Sequence, residues 1–488
     1  MRGLDALLLA AQDAGVEVIT YVPGYPVTEA ALLLKAEISV NEKVALEIAL
    51  GASATGARAM VFAKQVGMNI LADPLVISAT HTIGSGLAVI AGDDLGPKAS
   101  QAEMDSRAFG PMSRLPVLDP KSPAALHASI LEAYTISEWL RIPVIVRVTE
   151  RLLSADGPDI HPRSSKGCGQ ELERSGWELT VRGRHQRHRD RILGFAEEAS
   201  ESTTLNRLQV SGGVGIIASG YPASLAEGLG VSLLVAGYAH PLPWKMMRRF
   251  IEGHRLVLVA EEPEPFIESQ LRISPKVRGK LTGHLPFGPL ERSDLVRALE
   301  NLDKKVERSP QDYECAAERG FTGICDDCPF APLFRSLGRL NVPVAGDAGC
   351  AIRATREPYE SVDMVYGLGS SVGVASGFGK KGVAVIGDFA LAHTGLQGLI
   401  NAVWRGRDVL VILLKNDVAA MTGGQEAPDL TEVLEALVPV RYIELPVPEE
   451  EEEMVLERAL QEELKRPGAA VVVAEGRCAR HGMESLMK

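Results

Sequence analysis

The chain has 488 residues, 46% hydrophobic and 23% charged, with a formal net charge of −12. At roughly 150 residues per domain, this length suits about three domains. Its 48 glycines against 5% aromatics suit an α/β protein with many tight turns. The acidic balance argues against a nucleic-acid binder, because neutralising phosphates takes concentrated Lys and Arg. No apolar run approaches the ~18 residues of a membrane span and no secretory signal is visible, so a soluble, cytoplasmic protein is expected.

Taken in chain order, the Leu7-Leu8-Leu9 run, flanked by Asp5 and Asp13, reads as an amphipathic helix. Strands are predicted at 16–22, 59–63, 87–91 and 143–148, with helical stretches such as 42–56 between them. Short β-rich runs separated by helix-length segments imply a parallel sheet covered on both faces. Residues 156–205 lose this rhythm and predict a linker with one charged helix, the basic cluster at 182–191 reading as a solvated face. A second α/β unit, 206–305, carries strands at 214–218, 232–235 and 256–260; residues 304–323 read as a polar loop. The last unit, 306–488, carries strands at 342–345, 382–386, 409–414 and 469–473. Its acidic run at 449–453 reads as an exposed first helical turn.

Chemistry concentrates in this last unit. Gly387-Asp388 ends one apolar strand, and Asn416, 28 residues on, ends another. In a parallel sheet, ligands gather at the carboxyl ends of neighbouring strands. A carboxylate and an amide oxygen placed there can hold a hard cation such as Mg²⁺, which takes its remaining oxygen ligands from phosphate and water. Gly-Asp alone is usually just a turn; followed by a helix with Gly395, Gly398 and Asn401, then Lys415-Asn416-Asp417, it is far more specific. Gly367-Leu368-Gly369 is no dinucleotide fingerprint: Gly373 comes one residue late, and the run leads into a strand instead of out of one. Six cysteines in so long a chain make no disulfide framework. Cys325 and Cys328 have metal-ligand spacing, and Cys350 and Cys478 could complete a four-fold site by folding. Spacing alone leaves a structural zinc and an iron–sulfur cluster equally open. Cys168 and Cys315 have no evident partner.

The Gly387–Asn416 order resembles the diphosphate-binding motif of thiamine diphosphate enzymes. Ser39 to Glu47, Ala72-Asp73-Pro74-Leu75, Asp105-Ser106-Arg107, Glu261-Glu262-Pro263-Glu264-Pro265, Gly279-Lys280 and His393-Thr394-Gly395 extend the likeness over nearly the whole chain. Together they resemble the large subunit of indolepyruvate ferredoxin oxidoreductase, among the thiamine diphosphate-dependent 2-oxo acid:ferredoxin oxidoreductases. The resemblance implies an α/β protein of three domains with parallel sheets. A pyrimidine-binding domain (1–155) and a diphosphate-binding domain (306–488) would flank a transketolase-C-terminal-like domain (206–305). It implies that Glu42 activates the cofactor, lying 25 residues before Gly67 as in relatives. The competing acid, Glu47, stands about 140° further round the same helix. Asp388, Asn416 and the Val418 carbonyl are implied to hold Mg²⁺, and Gly367, Gly369, Gly387, Phe389, His393, Met421 and Thr422 to line thiamine diphosphate. Phe389 stands where the family usually has glycine. Cys325, Cys328, Cys350 and Cys478 are implied to carry a 4Fe-4S cluster. The implied reaction is oxidative decarboxylation of a 2-oxo acid to an acyl-coenzyme A. A smaller beta subunit and ferredoxin or another electron carrier are the implied partners. The alternative is a non-oxidative decarboxylase or carboligase with a structural metal at the cysteines.

Departures from the family shape further expectations. The family's large subunit usually continues into a ferredoxin-like domain with two more cysteine-rich motifs, and no such motifs follow Cys478, so either a separate carrier takes the electrons or the reaction is not oxidative. Gln65 and Lys98 stand where relatives have histidines, and Pro23 to Glu29 replaces a Gly-Thr-Pro-Ser-Ser pattern. Tyr25 and Lys98 suggest a smaller or more acidic substrate. Asp326 and Asp327 add negative charge that should make a cluster harder to reduce.

Overall fold

The computed structural model describes residues 1–163, 165, 167–306 and 323–481, so Cys315 lies outside the described residues. The chain divides into two compact units, Met1–Asp312 and Tyr313–Lys488.

In the first unit, β1 (Val18–Tyr21), β2 (Glu37–Ile38), β3 (Ala59–Lys64), β4 (Leu87–Asp93), β5 (Val117–Leu118) and β6 (Val144–Thr149) are the early strands. They run parallel in the order β5-β6-β4-β3-β1-β2. Every residue of β4 and β6 is buried, which is why both read as unbroken apolar runs and not as alternating ones. Helices Gly3–Asp13, Glu42–Ala54, Met68–His81 and Pro123–Leu140 contribute to the covering, with Leu7 wholly inside. The later strands are β7 (Arg207–Gln209), β8 (Val214–Ser219), β9 (Ser232–Ala236), β10 (Tyr238–His240), β11 (Leu256–Ala260) and β12 (Val277–Arg278). All but β10 form a second sheet, β12-β11-β8-β9-β7, with a separate apolar cluster on each face.

β10 departs from this order. It pairs antiparallel with β5 and completes the first sheet as its seventh strand. Its Tyr238 is fully buried, and the hydroxyl donates to Glu132 at 2.8 Å. Buried ions reinforce the join. Arg107 reaches Asp105 at 2.6 Å, Glu261 at 2.9 Å and the Glu264 carbonyl at 3.0 Å. Arg147 reaches Asp93 at 2.5 Å, Asp119 at 3.1 Å and the Glu262 carbonyl at 3.1 Å. The acidic and arginine stretches singled out in the sequence, 105–107 and 261–265, therefore meet in one network. Removing one partner from such a pair typically costs ~3–5 kcal/mol, because the other charge is left buried alone.

The expected charged helix is a continuous helical run through Val181–Arg187, His188–Ile192 and Leu193–Ser202. The solvated face holds for Arg182 and Arg189 but not for His188, which is fully buried.

The second unit holds β13 (Val344–Ala345), β14 (Gly382–Gly387), β15 (Val409–Lys415), a hairpin of β16 (Val418–Ala419) and β17 (Gln425–Glu426), β18 (Val440–Glu444) and β19 (Ala469–Glu475). Its sheet runs β13-β14-β15-β19-β18, all parallel, with an apolar cluster on each face. The acidic run differs from expectation at Glu452. Glu452 is buried and pairs with Arg335 at 2.5 Å and Arg339 at 3.5 Å, while Glu449, Glu450 and Glu451 are exposed. Among the described residues, no helix is long and apolar enough to cross a membrane.

Candidate functional site

β13, β14, β15 and β19 lie side by side, so their carboxyl ends open on one edge of the second unit. Just past those ends stand Asp347, Asp388, Asn416 and Cys478 respectively. The pairing of Gly387 with Leu414 sets Asp388 beside the exit of β15. Asp388 Oδ2 accepts the Asn416 and Asp417 N–H groups at 3.0 and 2.5 Å, and Oδ1 accepts the Phe389 N–H at 2.8 Å. Asn416 Oδ1 accepts the Val418 N–H at 3.1 Å. Burial pushes the Asp388 carboxyl up to about 6, against the pull of these N–H donors. Among the described residues no Lys, Arg or His forms an ion pair with Asp388, although it is only 7% exposed. A buried carboxylate satisfied only by amides retains its charge for a cation. Next to it, a Cβ on Gly387 would meet nothing within 4 Å, so the protein's own packing does not require glycine there. Open space at that point suits a ligand approaching the backbone.

The glycine loop before β14 is set by the protein itself. Gly369 has φ +82°, and a Cβ there would fall 1.9 Å from Thr394 Oγ1. Its N–H donates to Asp347 Oδ1 at 2.8 Å, while the Gly367 N–H donates to Ser370 Oγ at 3.0 Å. Asp347 is 1% exposed, and burial pushes its carboxyl up to about 6. Sequence reasoning assigned Asp347 no role. The signal was present, a second Gly-Asp pair at the end of an apolar strand. Phe389 is buried, so the change from glycine is absorbed by packing. His393 is buried in the turn Leu391–Gly395, with Nδ1 3.4 Å from Thr394 Oγ1. Thr422 lies in the β16–β17 hairpin, its N–H donating to the Ala419 carbonyl at 3.2 Å.

The four expected cysteines come together. Cys325, Cys328, Cys350 and Cys478 border one cavity of about 330 Å³, with Ala420, Met421 and Gly423 of the hairpin and with Arg353, Arg480 and His481. Burial, and after it the neighbouring thiols, push Cys328 up to about 11 and Cys350 up to about 12. Among the described residues, no three His, Cys, Asp or Glu side chains are set closely enough to share a single metal ion. The thiols surround a volume, not a point. Met421, expected beside the diphosphate, borders this cavity. Asp326 and Asp327 are exposed, where water and salt screen them, whereas Arg353 is half-buried. Cys168 is exposed and apart from the four.

In the first unit, Glu42 opens its helix behind the Asn41 cap, whose side chain accepts the Val44 N–H at 2.9 Å. Glu42 is 4% exposed and its carboxylate lies against Gly67, where a Cβ would come within 2.2 Å of Oε1. Glu47 faces outward and pairs with Lys43. The two acids thus have different surroundings, and only Glu42 is enclosed. Lys64, not singled out before, packs its stem on Gly24; burial lowers its pKa, opposed by nearby Glu42 and Asp94. Gln65 is fully buried and occupied: Nε2 donates to the Ala102 carbonyl at 2.8 Å, and Oε1 accepts the Asp94 N–H. Lys98 is matched by Glu150 at 2.8 Å, with Tyr25 nearby.

Residues 347–473 match the family model described as "Thiamine pyrophosphate enzyme, C-terminal TPP binding domain". Fold and match together define a thiamine diphosphate-dependent enzyme. The indolepyruvate oxidoreductase subunit IorA of Methanothermobacter thermautotrophicus is 31% identical over 88% of this chain and 77% of its own length. IorA of Archaeoglobus fulgidus is also 31% identical, over 98% of this chain and 86% of its own. The chain belongs to the IorA family, as a catalytic subunit of the thiamine diphosphate-dependent 2-oxo acid:ferredoxin oxidoreductase class. Among solved structures, 2-oxoglutarate:ferredoxin oxidoreductase from Magnetococcus marinus, with 2-oxoglutarate, coenzyme A and succinyl-CoA bound, shares the fold at a TM-score of 0.50. That likeness has 17% identity and covers 62% of this chain and 64% of that one.

Proposed function

We propose that this chain carries out oxidative decarboxylation of a 2-oxo acid in the cytoplasm, working with a smaller beta subunit and passing electrons through a 4Fe-4S cluster to ferredoxin or another carrier. In balance, a 2-oxo acid and coenzyme A give an acyl-coenzyme A, carbon dioxide, two electrons and a proton. One observation carries the oxidative reading: four thiols border the same cavity as the hairpin that follows Asn416. A single zinc, with bonds of about 2.3 Å, would draw its thiolates to about 3.8 Å of one another. Thiols spread around a cavity suit a polynuclear cluster better.

Within this reading Asp388, Asn416 and the Val418 carbonyl hold Mg²⁺, and Gly367, Gly369, Gly387, His393, Met421 and Thr422 lie along the diphosphate. When bound, thiamine diphosphate supplies the carbanion chemistry that the protein's side chains lack. Glu42 would hydrogen-bond the aminopyrimidine from its enclosed position, and Gly67 leaves its carboxylate room. The chain comprises a pyrimidine-binding domain (1–155), a linker with a charged helix (156–205), a transketolase-C-terminal-like domain (206–305) and a diphosphate-binding domain (306–488).

Anaerobic purification with iron and sulfide analysis, an EPR spectrum of the reduced protein, and acceptor reduction on a panel of 2-oxo acids test this. About four irons and four sulfides per chain, with coenzyme A-dependent acceptor reduction, are expected. Zinc at the cysteines, with aldehyde formed in the absence of an acceptor, would establish the non-oxidative decarboxylase instead.

A further inference from the structure

The β16–β17 hairpin begins at one site and ends at the other. At its base, Asn416 and Asp417 donate their N–H groups to Asp388, and the Asp417 carbonyl accepts the Ala427 N–H at 3.0 Å. At its tip, Ala420, Met421 and Gly423 border the cysteine cavity. His481 holds that tip in place. Its Nε2–H donates to the Ala420 carbonyl at 2.8 Å, which fixes the ring tautomer because a carbonyl only accepts. The ring lies close enough to Gly424, at φ +77°, that a Cβ there would come 2.7 Å from Nδ1. The His481 N–H in turn donates to the Cys478 carbonyl at 3.2 Å. An unbroken series of bonds therefore joins the Cys478 turn, the His481 ring, the hairpin and Asp388.

Two features make His481 more than a pin on a surface loop. The histidine sits on the same turn as a thiol of the cavity, and the carbonyl it holds belongs to the segment that continues directly from Asn416 and Val418. The hairpin and the His481 bond thus form one hydrogen-bonded route between the two sites. We propose that His481 is a positioning residue that couples the two sites, so that filling the cysteine site tightens the binding of thiamine diphosphate with Mg²⁺, and the reverse. The inference rests on the function proposed above. Linkage makes the coupling reciprocal, and couplings between sites typically change affinity about 5- to 150-fold. Part of the coupling bypasses the histidine, because the Gly476 N–H donates to the Lys415 carbonyl at 3.0 Å and ties the exits of β19 and β15 directly.

The test titrates thiamine diphosphate, with Mg²⁺, calorimetrically into the full chain under anaerobic conditions, before and after removal of the cluster. Wild type, His481→Ala and His481→Gln are compared, with iron content and melting temperature recorded for each. Wild type should bind about tenfold tighter when loaded. His481→Ala should retain its iron yet lose most of that ratio, and His481→Gln, whose amide can still donate to Ala420, should recover it. An equal ratio in wild type and His481→Ala, both folded and loaded, would overturn the coupling and leave the proposed function standing. A wild-type chain that takes up no iron, or binds no thiamine diphosphate, would overturn the proposed function and the coupling with it.

Discussion

Buried acids are treated differently at the join of the first unit and at the strand exits of the second, although the second unit also buries Glu452 against Arg335 and Arg339. In the first, Asp93, Asp105, Asp119, Glu261 and Glu262 face Arg107, Arg147 and Arg151. In the second, Asp347 and Asp388 accept N–H groups and, among the described residues, pair with no side-chain cation. A buried carboxylate already matched by a guanidinium fixes architecture. One held only by amides remains attractive to a cation that arrives later. Glu42 fits neither group, since it is enclosed near the ammonium of Lys64 and outside the arginine network.

Four predictions would break or sharpen this contrast. The largest effect is expected at Glu42. Glu42→Gln should reduce turnover about 10²- to 10⁴-fold, the usual contribution of a positioned acid–base group, with cofactor binding retained by calorimetry. Glu47→Gln should stay near wild type, and equal losses in both would refute the assignment. Next comes the network: Arg147→Met should destabilise the chain by ~3–5 kcal/mol in denaturant unfolding. Its folded fraction should bind thiamine diphosphate as wild type does; a selective loss of affinity at unchanged stability would show that the network belongs to the site.

The third prediction concerns pH. Asp347 is held at about 6 in the folded chain, above its ordinary 3.8, so the folded form binds the extra proton between those values. Stability from this group is therefore present below about pH 4 and is lost as pH rises toward 6, by at most about 3 kcal/mol. Unfolding curves of the apo-protein at pH 4.5 and 6.5 should show this slope, and Asp347→Asn should flatten it. A slope unchanged by the substitution would place the titration elsewhere. The smallest effect is at Asp388: Asp388→Asn should weaken thiamine diphosphate binding at fixed Mg²⁺ about ten- to a hundredfold, or about 1.4–2.7 kcal/mol. The melting temperature of the apo-protein should hold or rise, since a neutral amide there relieves an unpaired buried charge. A marked fall would make Asp388 a structural residue like those of the first unit.

The main strands were legible because burial on both faces leaves an unambiguous apolar run, as in 256–260, which coincides with β11. What the sequence concealed was short or tertiary. β5 and β10, of two and three residues, have no periodicity to read. His188 looks solvated in a basic run, and only the packing of its helix buries it. At the site, Asp388 and Asn416 were readable because strand register alone makes them neighbours. Their approach needs no distant segment. The cysteine cavity was readable only as a list of thiols. Its walls, Arg353, Arg480, His481 and the hairpin tip, come from segments whose meeting depends on chain closure. Gln65 was readable only as a departure from the family's histidine, and the structure shows it as a buried clasp on the 94–102 loop.

The crossing of β10 into the first sheet has a bearing on solubility during folding. Without it, β5 would end the sheet as an unpaired edge, offering its backbone N–H and C=O groups to any other extended chain. That protection comes from a strand about 120 residues downstream of β5, so a nascent chain carries the open edge until residues 238–240 are made. The buried arginines are exposed to the same delay, because Glu261 and Glu262 are later still. The first unit is therefore a poor candidate for dissection near residue 205, where a truncated product would be left with a sticky edge, with Arg107 short of Glu261 and Arg147 short of the Glu262 carbonyl.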